Sequence, residues 1–199
     1  FLPDGALAIL PLTDQRASLV WTEPHDRARA LKAASLEAFT AHLSRRFGEF
    51  LGEVEVLEPR FVYPLSLLLA DSLIAHRAAL VGDAGHGIHP LAGQGLNLGL
   101  KDAAALAQVL VEAQRLGEDI GSAQVLARYQ AWRRFDNVTM AMMMDVFDRT
   151  FATDNPVVRG VRDLGMAAVN AMPAARRFFM AEAGGSVGDL PQLLKGEAL

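Results

Sequence analysis

Apolar spacing divides the chain into a strand-rich start and a helical remainder. Ala6 to Leu12 and Ala17 to Trp21 are two apolar runs joined by the polar Thr13-Asp14-Gln15-Arg16, a turn of the length that closes hairpins. A β-hairpin is predicted there. From Ala28 to Phe50 apolar residues recur at Leu31, Leu36, Phe39, Leu43 and Phe47, the face of a helix, with Gly48 and Gly52 as stop signals. Arg60 to Leu69 returns to strand composition, and Pro64 makes that strand an edge or a bent one. A short apolar run, Ala78 to Val81, then leads into Gly82-Asp83, a glycine-rich segment and an Ala/Leu helix from Leu96 to Leu116. This reads as strand, loop, helix.

From Ser122 onward the pattern is helical. Val125, Tyr129, Trp132 and the Met140 to Phe147 cluster form one long helix, and Pro156 and Pro173 start two more, since proline fits a first helical turn. Met140, Met142, Met143, Met144, Val146 and Phe147 are apolar nearly all round their helix, which suits a core, a partner or lipid, core being the commonest case. Tyr129 and Arg133 share a helix face at i and i+4 and are expected to pack. Gly184-Gly185 reads as the end of ordered structure.

Composition narrows the chemistry. The 199 residues, 51% hydrophobic and 21% charged, describe a soluble globular protein able to bury a core. A net charge of −4 argues against nucleic acid as a partner. The absence of cysteine excludes disulfide frameworks, thiolate nucleophiles, iron–sulfur clusters and thiolate zinc sites. The longest apolar stretch, Phe61 to Ala70, is about half the length of a bilayer crossing, and Asp71 closes it. Opening at Phe1 without a basic leader or signal pattern, the chain reads as a piece of a longer protein. His86 and His89 lie among glycines rather than on a helix, with no carboxylate pair or third histidine nearby, so they are read as loop-shaping or pocket-lining residues and no metal is expected. Arg176-Arg177-Phe178-Phe179-Met180 combines cations with large apolar groups, as membrane-interface helices do.

The informative segment is Leu80 to Asn97. A strand ending in Gly82-Asp83 places a carboxylate where open α/β sheets bind ligands, and such a carboxylate accepts hydrogen bonds from sugar or ribityl hydroxyls. An Asx turn or a helix cap would use the same residue, and the residues alone leave both readings open. Gly93 and Gly95 bracket Gln94 just ahead of the helix, letting backbone approach a flat ligand, while the first helical amides carry about half a positive charge. Two glycines by themselves mean only loop flexibility. Together with Asp83, Pro90 and Asn97 they are far more specific.

At these spacings Gly82-Asp83-Ala84, His86, Pro90, Gly93, Gly95 and Asn97 resemble the second flavin motif of the flavin-dependent aromatic hydroxylases with the para-hydroxybenzoate hydroxylase fold. Ala8 to Leu12, Ser18 to Trp21, Tyr63-Pro64-Leu65, Gly95 to Gly99, and Tyr129 with Arg133 narrow the resemblance to the ubiquinone-biosynthesis ring hydroxylases of the 2-polyprenyl-6-methoxyphenol hydroxylase type. It covers most of the first 150 residues. Gly85 departs from the alanine common in that motif, adding backbone freedom and removing no functional group.

The resemblance implies an α/β (α+β) fragment, the carboxyl half of an FAD-binding fold. Residues 1–76 would belong to the substrate-binding domain, 77–117 to a strand, loop and helix returning to the FAD-binding domain, and 118–199 to a helical region. It implies FAD as cofactor, held by Gly82, Asp83, Pro90, Gly93, Gln94, Gly95, Leu96 and Asn97, with Asp83 on the ribityl chain and Gly95, Leu96 and Asn97 on the pyrimidine edge. Pro90 would sit by the isoalloxazine with its carbonyl toward the substrate hydroxyl, and no side-chain nucleophile is needed. The implied reaction is monooxygenation of a polyprenylated phenol with O2, NAD(P)H serving as electron donor. The implied setting is cytoplasmic, peripheral at the inner face of the membrane, among other ubiquinone-biosynthesis proteins. The family's amino-terminal Gly-x-Gly-x-x-Gly turn and its middle Asp-Gly motif are missing from the chain, so a hydroxylase of a small soluble phenol and a non-catalytic assembly fragment stand as alternatives. Without the rest of its sheet, the Ala78 to Gly82 strand is expected to present an unpaired edge.

Overall fold

The hairpin forms where the two apolar runs and their polar turn placed it. In the computed structural model, which describes residues 5–48, 52, 54–88, 93–153, 155–185 and 188–199, β1 (Leu7–Pro11) and β2 (Ala17–Trp21) run antiparallel. Leu7 lies opposite Trp21 and Pro11 opposite Ala17. Asp14 and Gln15 adopt φ of 59° and 55°, the left-handed pair whose twist matches that of the flanking strands. The chain forms two compact units, Phe1–Pro64 and Leu65–Leu199.

In the first unit, the helix predicted from Ala28 to Phe50 is two helices, α1 (His25–Ala33) and α2 (Leu36–Phe47). The step from Leu31 to Leu36 is five residues, which breaks the three-to-four spacing. Ser35 fills the break, its hydroxyl accepting the Ala38 amide at 3.2 Å as the N-cap of α2. Leu31 and Leu43 are buried, and Trp21 meets Phe39 with ring centroids 6.0 Å apart. Arg60 lies 4.7 Å from the centroid of Phe39 and donates to the carbonyls of Leu31 at 3.0 Å and Ala34 at 2.8 Å, satisfying the end of α1.

In the second unit, the strand predicted from Arg60 to Leu69 narrows to β3 (Leu68–Leu69), paired antiparallel with β6 (His86–Gly87). Strand composition needs a partner, and among the described residues only these two pairs close, while Leu65, Leu67, Leu68 and Leu69 stay exposed. Likewise β5 (Ala78–Ala79) pairs with β4 (Ile74–Ala75) in a short two-stranded hairpin, which covers one edge of Ala78–Ala79, and no described strand pairs with the other. Gly82–Ala84 is a 3₁₀ turn rather than a strand end.

The helices follow their caps. α3 spans Gln94–Arg115 and α4 spans Ala123–Ala152, with Ser122 accepting the Val125 amide as N-cap. α5 (Pro156–Ala171) and α6 (Pro173–Ala183) begin at the predicted prolines. α3 and α4 bury Ala105, Val109 and Ala113 against Val125 and Tyr129, with Leu73 packed in. A second cluster joins Leu98 to Met140 and Met144. The methionine stretch is therefore one-sided, since Met142 and Val146 are exposed. Ordered structure continues past Gly185: a second 3₁₀ turn, Gln192–Lys195, follows the buried Pro191.

Candidate flavin-facing site

The 3₁₀ turn Gly82–Ala84 packs on the first two turns of α3, where two glycines meet. A Cβ on Gly99 would stand 3.4 Å from the Cα of Gly82, in van der Waals contact, so the two backbones pass about one carbon atom apart. Gly82 itself has φ of 62°, a conformation glycine adopts without strain. This approach brings Asp83 to the helix start: a Cβ on Gly95 would lie 3.7 Å from Asp83 Oδ1. The N-cap of α3 is Gly93, left-handed at φ 62°, which has no side chain to cap the helix, and the first turn holds no acidic residue. Asp83 is exposed, and no side-chain cap bond forms at its own turn. Its carboxylate thus stands against the positive end of a helix and remains open to a further partner.

The sequence-predicted residues divide as follows. Gly82, Asp83, Gly95 and Asn97 share one end of α3, with Gln94 buried, Gly93 capping and Leu96 exposed. Asn97 Nδ2 donates to Gln94 Oε1 at 3.2 Å. Pro90 and His89 lie outside the described residues. No three metal-ligating side chains gather among the described residues.

Beneath this surface lies a polar cluster that sequence reasoning missed. Asp102, fully buried on α3, accepts the Gly82 amide at 3.1 Å and the Arg133 Nε at 2.8 Å, and also Asn137 Nδ2 and His86 Nε2. Arg133 reaches Asp136 at 2.7 Å and Asn137 Oδ1 at 3.1 Å. Burial pushes the Asp102 carboxyl up, but the hydrogen bonds from His86, Arg133 and the Gly82 amide outweigh it and hold it below the usual carboxylate range. Tyr129, its phenol pushed up by burial and by the Asp102 charge, stays protonated and donates to the Leu80 carbonyl at 2.7 Å. The Nδ1 of His86 is buried with no hydrogen-bond partner among the described residues. Tyr129 and Arg133 were expected to pack, and they do so by clamping both sides of the Gly82–Ala84 turn through Leu80 and Asp102. The readable signal was a charge on the apolar stripe Leu98, Asp102, Ala105, Val109, matched by Tyr129, Arg133 and Asn137 at i, i+4 and i+8 on the next helix.

Comparison with known proteins places the chain among flavoproteins. The family described as FAD binding domain matches residues 2–144. A protein named ubiquinone hydroxylase UbiL from Rhodospirillum rubrum is 48% identical over all of this chain and 47% of its own length. The 3-demethoxyubiquinol 3-hydroxylase of Escherichia coli is 42% identical over 89% of this chain and 45% of its own. The chain thus spans about half the length of the curated relatives it matches. Among solved structures, PqsL, a probable FAD-dependent monooxygenase from Pseudomonas aeruginosa, superposes with a TM-score of 0.61 at 29% identity, covering 81% of this chain and 45% of PqsL. The Diels-Alderase PyrE3, at 20% identity and a TM-score of 0.69 over 96% of this chain and 40% of its own, shares the fold. The fold is that of the para-hydroxybenzoate-hydroxylase-like monooxygenases, and the chain belongs to the FAD binding domain family.

Proposed function

We propose that the chain forms part of an FAD-dependent monooxygenase that hydroxylates a polyprenylated phenol in ubiquinone biosynthesis, drawing electrons from NAD(P)H. The observation that carries this reading is the open Asp83 carboxylate beside the glycine-lined start of α3. The residues present fit a flavin: the space beside Gly95 is one a side chain would narrow, and the uncapped helix start favours an electron-rich ring edge. Asp83 would accept hydrogen bonds from ribityl hydroxyls, while Gly95, Leu96 and Asn97 would offer amides and a carboxamide to the pyrimidine edge. Gly82, Gly93 and Gln94 shape the backbone that lets the ring approach. Pro90 is assigned to the substrate side, its carbonyl accepting the phenol hydroxyl, on family resemblance. Bound and reduced, FAD would supply the activation of O2, one oxygen atom going to the ring and the other leaving as water. The residues of this chain bind, orient and desolvate.

The substrate reading is tested on the intact flavoprotein with phenols of increasing prenyl tail length. Affinity is expected to rise with each added unit, bounded by about 0.8 kcal/mol per buried CH₂. Affinity that stays flat across the series would assign the enzyme to a small soluble phenol instead.

Contact with a membrane surface belongs to the same proposal. No described helix is long and apolar enough to cross a bilayer. On α5, Val157, Val161 and Leu164 share one exposed face, and on α6 Phe178 and Met180 are exposed. Between Pro156 and Ala181 stand Arg159, Arg162, Arg176 and Arg177 against one acid, Asp163, in a chain of net charge −4. Apolar side chains among cations suit an anionic lipid surface. Vesicles containing phosphatidylglycerol are expected to bind the protein, and Arg176→Ala with Arg177→Ala to weaken binding by about 2 kcal/mol, at about 1 kcal/mol per basic residue. Equal binding to pure phosphatidylcholine would remove the electrostatic contact.

A further inference from the structure

The start of α3 has a neighbour from far along the sequence. α6 ends at Ala183, and Gly185, at φ 70°, lies against Asn97. A Cβ built on Gly185 would stand 3.5 Å from both Cβ and Cγ of Asn97 and 3.7 Å from its Nδ2. One carbon therefore already reaches contact, and a branched side chain has to share its space with the carboxamide that donates to Gln94 Oε1. Gly185 is also fixed from beyond. Past it, Gly188 comes close to Asp136, the partner of Arg133. Trp132 Nε1 donates to the Asp189 carbonyl at 3.1 Å, Pro191 is buried, and the Gln192 amide donates to Gln108 Oε1 at 3.0 Å. Arg115 holds the last residue through the Leu199 carbonyl at 2.8 Å. The tail after α6 is docked on α3 and α4 from Gly188 onward, which anchors the chain just beyond Gly185.

We propose that Gly185 is a positioning residue for Asn97, so that the docked carboxyl tail sets the carboxamide facing the flavin pyrimidine edge and thereby tunes flavin affinity. This rests on the flavin reading of the α3 start. It acts through Asn97: the bare Gly185 backbone leaves the carboxamide in the orientation that holds Gln94, and a side chain at 185 that extends beyond Cβ turns it away.

The test compares two glycines of the same tail in the intact flavoprotein. Gly196 has φ 78° and nothing within 4 Å of a built Cβ, so Gly196→Val carries the backbone strain of a left-handed position without a neighbour to displace. FAD affinity is read by fluorescence titration of the apoprotein, together with the absorption spectrum of the bound flavin. Gly185→Val is expected to raise the Kd for FAD about tenfold, as does losing one hydrogen bond to the ring, and to shift the flavin band. Gly196→Val is expected to change neither. Asn97→Ala is expected to weaken FAD to the same extent, and adding Gly185→Val to it to weaken binding no further. Equal Kd and spectra in Gly185→Val and Gly196→Val overturn the positioning role. Unchanged FAD affinity in Asn97→Ala overturns the flavin reading of this turn, and the proposal with it. If Gly185→Val does not fold, Gly185→Ser, one atom longer than the Cβ that only reaches contact, makes the same comparison with Gly196→Ser at smaller amplitude.

Discussion

Asp102→Ala is expected to lower the unfolding free energy by about 3 kcal/mol, measured as a shift of the urea midpoint with an unchanged slope. The arithmetic follows from what the carboxylate leaves behind. Arg133 is fully buried and loses its Nε partner, the Gly82 amide and His86 Nε2 lose their acceptor, and breaking such a pair usually costs about 3–5 kcal/mol. The lower end applies because Asp136 continues to hold Arg133. The same carboxylate predicts an acid dependence. Its folded-state pKa is depressed, so its stabilisation is complete above the unfolded carboxylate value of about 4 and is lost as pH falls below that toward the folded value. Asp102→Asn should flatten the stability profile in that window. A variant as stable as the parent at pH 7 would mean that the cluster contributes nothing net.

Asp83→Ala is expected to act oppositely, on ligand rather than fold. Its carboxylate is exposed, and its loss removes at most an interaction of about 0.3–1 kcal/mol with the start of α3. In the intact flavoprotein, however, FAD binding should weaken by about 1.5–3 kcal/mol, roughly 10- to 150-fold in Kd, the usual cost of deleting a charge-assisted hydrogen bond. Asp83→Asn, which keeps an acceptor without charge, should fall between. An unchanged titration would reduce Asp83 to a partner of the helix end.

How much of this was legible in advance depended on how far each contact reaches along the chain. The Thr13 to Arg16 turn and the helix starts at Pro156 and Pro173 are local devices, and they read correctly, while the equally local cap at Ser122 was passed over. The break at Ser35 was local too, visible in the five-residue step after Leu31, but a count of apolar residues passes over it. The strand composition of 60–69 misled because a strand exists only when a partner pairs with it, and composition cannot name the partner. The gathering of Gly82, Asp83, Gly95 and Asn97 was readable as a motif. Asp102 was not, since its partners His86, Arg133 and Asn137 lie 16 to 35 positions away on other elements. The docked tail hid for the same reason: Gly184-Gly185 looks like an ending until Pro191 is seen buried.

The helix pair α3–α4 would be an ambiguous joint if it were held by small residues alone. Ala105, Val109 and Ala113 offer similar notches at successive turns, and sliding one helix by a turn, about 5.4 Å, would find nearly equivalent seats. The buried ion pair forbids that slip, because the same displacement would strand Asp102 and Arg133 apart in an apolar environment. One charge on each helix thus works as a locating pin, and since Asp102 also grips the Gly82 amide, axial alignment of the pair and placement of the Asp83 carboxylate are fixed together.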